Sequence, residues 1–158
     1  MARDFTPIPN AALILGLAGL IPFWGAVLML VISTSQGRSP ATEMWLFTIY
    51  SGLIATFLGG VRWGESIASK ATPGLRALGL SIAPSLVALL AVFIHWSGQP
   101  VIAWSLLALC FGALLIWDRR SVERRDLPVW YGRLRLVLTT GVVLAHLAIS
   151  LGYLVLAR

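Results

Sequence analysis

Few residues in this chain could do chemistry, and they are widely spaced. Arg62 and Glu65 lie three apart in the stretch FLGGVRWGES, residues 57–66, with Trp63 between them. On a helix that spacing lets a guanidinium and a carboxylate meet on one face. The pair has two uses. It can pin a helix at the membrane surface, the arginine reaching headgroups. It can instead face a bundle interior and hold an anionic or polar ligand. A second group lies far down the chain, where Thr139, His146, Ser150 and Tyr153 share one face of a helical period. A polar stripe on an apolar helix turns into the bundle. His146 then serves either as a neutral partner for a neighbouring helix or as a ligand- or proton-handling group. The ligand-binding candidates are therefore Arg62, Trp63, Glu65, His146, Ser150 and Tyr153.

Most other chemistries find no support. His95 is next to Trp96 at the end of an apolar run and reads as interfacial, roughly 10 Å from the depth of His146 at about 1.5 Å per residue. The two histidines do not suit one metal, and no cysteine cluster or carboxylate cage helps them. The spacing for bis-histidine haem is missing. The lone Cys110 lies in an apolar block, so no disulfide framework exists within the chain, and it reads as a small hydrophobe. FLGGVRWG lacks the strand and lysine of a phosphate loop. The acids lie near chain breaks or in connections, so no Ser–His–Asp triad is expected. No catalytic residue, metal or cofactor is expected.

These residues must be positioned by apolar elements. Of the 158 residues, 58% are hydrophobic and 11% charged, against about 25% charged in a soluble domain. The apolar residues fall in long blocks, which points to an all-α, polytopic transmembrane bundle. Five blocks are long enough to span, at residues 11–32, 44–66, 78–96, 101–117 and 136–157, within one domain of residues 1–158. STSQGRSP, SKATPG and SGQP separate the first four. The first block is too long for a signal sequence and lacks a cleavage site, so it reads as a retained helix. Residues 44–61 are uncharged and reach about 27 Å as helix, which puts Arg62 at the margin of the hydrocarbon.

Five spans place Arg3, Lys70, Arg76, Arg119, Arg120, Arg124, Arg125, Arg133 and Arg135 on one side, with Arg38 and Arg158 on the other. The positive-inside rule then predicts the N-terminus in and the C-terminus out. Trp45, Trp96, Trp104, Trp117 and Trp130 lie near block ends, as an aromatic belt requires. The net charge of +6 is thus an orientation signal and not a nucleic-acid footprint. The connection at residues 118–135 holds half of the basic residues. It reads as a topology determinant, or as a strip for lipid or partner docking through Arg119, Arg120, Arg124, Arg125, Trp130 and Tyr131.

Gly52, Thr56, Gly60, Gly64 and Ala68 recur every four residues in the second span. Such a ridge lets helices approach closely, and is expected to face another helix of this chain or of a partner. Close approach to a ligand is its other use.

Four stretches resemble a known family: LGLAGLIPF, YSGLIATFLGGVRWG, SIAPSL and LPVWYGRLRLVLT. They are similar to the DUF3429 (transmembrane protein 69-like) family of small multi-spanning membrane proteins of uncharacterised function. The most specific parts are Phe57, Leu58, Gly59, Gly60, Trp63 and Gly64, then Trp130, Tyr131, Arg135 and Thr139. The resemblance implies a multi-pass bacterial inner-membrane protein and supplies no activity. Two functions from different classes follow. One is a non-enzymatic accessory or assembly protein of a membrane complex, with a partner subunit, a second copy or membrane lipids on its surfaces. The other is a bundle that binds or transports a lipophilic or amphipathic small molecule.

Overall fold

The computed structural model describes residues 7–68, 72 and 74–156. Arg3, Ser69, Lys70, Ala157 and Arg158, which entered the span and charge arguments, lie outside the described residues. Those described form helices and no strand: α1 (Asn10–Ala18), α2 (Ile21–Ser35), α3 (Ala41–Ala68), α4 (Leu75–Trp96), α5 (Pro100–Glu123) and α6 (Val129–Leu156). Five stretches are long and apolar enough to cross a membrane, because α1 and α2 together form the first of them, Asn10–Ser35.

That first span is broken at Gly19 and Leu20. Pro22, in the first turn of α2, has no N–H to continue the ladder into α1. The Gly19 carbonyl instead accepts the Tyr50 hydroxyl at 2.9 Å, so a side chain from α3 satisfies the break. α1 buries none of its residues and rests on α6, where Gly16 faces Leu138.

The core is aromatic. Phe23, Phe47, Trp104 and Phe111 are fully buried where α2, α3 and α5 meet α6. Phe23 meets Phe47 and Phe111 edge-on. The outward faces are as apolar as the core, and Leu109 is 72% exposed. Such faces suit a hydrocarbon solvent, which draws no distinction between a buried and an outward leucine.

α3 and α4 form the most extensive contact of the bundle. Its seam is made of small residues, but not those of the four-residue ridge. A Cβ added at Gly59 would lie 2.5 Å from the Ser81 carbonyl, and one at Gly52 would lie 3.2 Å from the Ala88 side chain. The seam on α3 therefore runs Gly52, Ala55 and Gly59, all buried, against Ser81, Pro84 and Ala88. Of the ridge, Thr56, Gly60, Gly64 and Ala68 are exposed, and nothing lies within 4 Å of a Cβ at Gly60 or Gly64. Among the described residues Gly52 is the one glycine of the ridge that packs closely on another helix.

The fourth and fifth spans are longer than their apolar blocks. α5 continues past Trp117 to Glu123, and α6 begins at Val129, so residues 118–135 are mostly helix and only residues 124–128 turn the chain. The charges do not end α5 because Asp118 and Ser121 face inward, where they find partners. The turn closes with a Schellman motif, the amides of Arg125 and Asp126 reaching back to the Val122 and Ser121 carbonyls. α2 and α4 end in the same way through Gly37 and Gly98, which hold positive φ. At α5 the left-handed position is taken by Arg125, φ 65°, where a side chain costs energy that glycine avoids.

Candidate functional site

The largest concentration of polar groups lies at the basic end of the bundle, where α3, α5 and α6 converge. Arg62 is 1% exposed and points inward. One terminal nitrogen, Nη2, donates to Asp118 Oδ1 at 2.5 Å. The other, Nη1, donates to Glu65 one turn on and to the Ser121 hydroxyl at 3.0 Å. Its guanidinium carbon lies 5.0 Å above the Trp117 ring, a cation–π distance. Arg135 of α6 donates from Nε to the second oxygen of Asp118 at 2.6 Å. Asp118 thus bridges two buried arginines. With Glu65 the four side chains sum to zero charge, the condition under which buried ions are tolerated.

The cluster leaves nitrogen donors over. Among the described residues Arg62 Nε and Arg135 Nη2, both buried, have no hydrogen-bond partner, and one turn along α6 the buried Thr139 hydroxyl has none either. Buried polar groups are nearly always paired, so three such donors within one region stand out. Arg135 and Thr139 both line a cavity of about 150 Å³. Its other walls are apolar, among them Gly16 and Leu20 at the α1–α2 break, Ile54 and Leu58 of α3, and Phe111. Leu15 and Phe57, both largely exposed, stand at its rim, so the slot opens on the outward face of the bundle. The slot lies beside the break in the first span, with Gly19 and Leu20 among its walls.

The structure separates the other candidates from this slot. His146 is buried among Phe23, Phe47 and Phe111. Its Nδ1 lies 2.8 Å from the Val142 carbonyl, which can only accept, so Nδ1 carries the proton and Nε2 is left as an acceptor without a partner. Phe23 and Phe111 also wall the slot, and they stand between it and the histidine. Ser150 bonds back to the His146 carbonyl at 2.7 Å, and Tyr153 packs edge-on against Trp104. Trp63 is 38% exposed on the outer face of α3. Arg62 and Glu65 therefore form one site, while His146, Ser150 and Tyr153 belong elsewhere.

His95 lies in the last turn of α4 and turns inward rather than outward. It is buried, stacked on Trp45 with centroids 4.2 Å apart, and its Nδ1 lies 2.6 Å from the Thr48 hydroxyl. Trp104 donates to the same hydroxyl at 2.8 Å, and Thr48 donates its single hydrogen to the Met44 carbonyl at 3.0 Å. With His95 as the Nδ1–H donor, the Thr48 oxygen accepts two hydrogen bonds and donates one. The network joins α3, α4 and α5 and reads as structural.

The docking candidates divide between faces. Arg119 lies with Glu123 and Gly132 on the α5–α6 side, and Arg120 and Arg124 lie toward α4. Arg124 also pairs with Asp126 at 3.1 Å. Arg125 is exposed in the turn. Trp130 and Tyr131 meet edge-on, half-buried, in the first turn of α6. Asp118 and Ser121 are the site residues that the sequence did not single out, while Thr139 entered only through the polar stripe and the family resemblance, and Arg135 only through the charge pattern and that resemblance. Their signal was that helical spacing puts Asp118 and Ser121 on one face, as it does Arg135 and Thr139.

The fold and the buried ion cluster define a polytopic helical membrane protein. The chain belongs to the DUF3429 family: the family model described as a protein of unknown function (DUF3429) matches residues 8–151. It is 35% identical to transmembrane protein 69 of Xenopus tropicalis over 133 residues, which is 83% of this chain and 50% of that protein. It is 31% identical to transmembrane protein 69 of Mus musculus over 133 residues, 83% of this chain and 51% of that protein. The chain thus spans about half the length of these relatives. No solved structure matches it.

Proposed function

We propose that this chain is a membrane bundle that binds a lipophilic molecule carrying a hydrogen-bond acceptor, such as a carbonyl or carboxylate, at one end. The observation that carries the reading is that Arg135 and Thr139, each with a buried donor unpartnered among the described residues, both line one apolar slot. An apolar body would enter past Leu15 and Phe57, and its acceptor would complete the hydrogen bonding of both residues. Asp118 and Arg62 hold the Arg135 guanidinium in place through the ion cluster. The pocket is a binding site in this reading, with no reaction assigned to it.

The test is mass spectrometry of lipophilic molecules retained by the protein purified in mild detergent. Wild type should carry one acceptor-bearing lipophile, and Thr139→Val, which leaves the ion cluster intact, should lose most of it. Wild type free of any such molecule, or Thr139→Val with full retention, would overturn the proposal.

A second reading, an accessory protein of a membrane complex, is favoured by one observation: Gly60 and Gly64 lie open on the outward face of α3. Its test is co-purification of partner subunits that Gly60→Leu abolishes. For orientation we infer a cytoplasmic N-terminus in a bacterial inner membrane. The support is that Arg76, Arg119, Arg120, Arg124, Arg125, Arg133 and Arg135 gather at one end, with Arg38 in the opposite connection. Accessibility of cysteines placed at residues 38 and 125 to an impermeant reagent on intact cells tests it; labelling at 125 and not at 38 would reverse it.

A further inference from the structure

On the other side of the bundle, α4 and α5 diverge toward their basic ends and leave two adjoining hollows. One, of about 610 Å³, is lined by Arg76, Arg120 and Arg124 together with Leu80, Ala113 and Trp117. The second, of about 290 Å³, runs deeper along the same helix pair between Leu80, Val87, Leu106 and Leu109. Leu80, Ala113 and Trp117 line both, so the hollows form one groove. The groove is charged at the end of the bundle and apolar along the span.

Its charges are available. Arg76 and Arg120 are exposed and have no ion-pair partner among the described residues. Arg124 is shared with Asp126 and Ser121. Among the described residues no acidic one lines either hollow. The inner arginines contrast with these, since Arg62 and Arg135 are matched by Asp118 and Glu65.

We propose that this groove is a specific site for an anionic phospholipid, its phosphate held by Arg76, Arg120 and Arg124 and an acyl chain lying between α4 and α5. The charge complementarity selects an anionic headgroup, and the apolar continuation selects a lipid over a soluble phosphate. Trp117 couples the two sides of the bundle, because its ring lines the groove and also lies beside the buried Arg62 guanidinium.

The experiment is native mass spectrometry of the protein equilibrated in micelles containing equal phosphatidylglycerol and phosphatidylcholine. Wild type should retain one phosphatidylglycerol in clear preference. Each arginine at an anionic headgroup gives roughly a fivefold preference, so Arg76→Gln with Arg120→Gln should reduce it about 25-fold. Arg119→Gln with Arg125→Gln, which removes equal charge away from the groove, should leave it unchanged. Ala113→Phe, which fills the junction of the two hollows and keeps every arginine, should also lose the bound lipid. Equal retention of the two lipids by wild type would overturn the proposal. So would an equal loss in the Arg119/Arg125 control, or full retention by Ala113→Phe.

Discussion

Replacing Asp118 by Asn keeps its shape and removes the charge that two buried arginines share. The carboxylate lies 2.5 Å from Arg62 Nη2 and 2.6 Å from Arg135 Nε, and its side chain is 4% exposed. Arg62 keeps Glu65, whose side chain is 26% exposed. Arg135 has no other ion-pair partner among the described residues. Removing one member of a buried ion pair costs about 3–5 kcal/mol, because the remaining charge is left uncompensated. For a chain of this size each kcal/mol moves the midpoint by about 2–4 °C, so Asp118→Asn should lower it by about 10 °C. Thermal unfolding in detergent, followed by the fluorescence of the seven tryptophans, reads the shift directly. Adding Arg135→Met removes the orphaned charge and should recover at least about 1 kcal/mol of the loss, a coupling expected of side chains in contact. An Asp118→Asn midpoint within about 2 °C of wild type, or strictly additive losses in the double variant, would refute the bridged cluster.

Three further outcomes follow from local geometry and are checked by the same unfolding measurement. Gly59→Ala should destabilise by about 1–3 kcal/mol, because its Cβ would press on the Ser81 backbone, whereas Gly60→Ala should be neutral or stabilising by up to about 1 kcal/mol. Arg125→Gly should stabilise by about 1 kcal/mol, since glycine suits the left-handed position that ends α5. His146→Leu should be tolerated or stabilising, because it removes a buried acceptor that has no partner and leaves the aromatic cage filled.

The spans were legible because hydrocarbon demands long apolar runs, and little else in the sequence produces them. The break at Gly19 and Leu20 was not read, since Pro22 lies within a block apolar on both sides. The continuation of α5 was missed for a related reason. Asp118, Arg119 and Arg120 end the apolar run and resemble a loop, yet Asp118 is buried because Arg62 and Arg135 reach it from two other helices. That knowledge is tertiary. The inward facing of His146 followed from the polar stripe on its own helix, but its separation from Arg62 depends on Phe23 and Phe111, which come from other helices. The glycine pattern shows the same limit. Period-four spacing marked Gly60 and Gly64, whereas the seam that formed uses Gly52, Ala55 and Gly59, because Pro84 and Ala88 stand opposite them. One helix reveals its small residues, and only its partner decides which of them are covered.

The slot between α1, α3 and α6 is the centre of the functional account, and an experimental density map of the protein taken directly from membranes tests it most directly. On this account a bound lipophile would appear as an elongated density in the slot, one end within hydrogen-bonding distance of both Arg135 Nη2 and the Thr139 hydroxyl. A slot closed by repacked side chains, or one in which water alone completes the two donors, would contradict it.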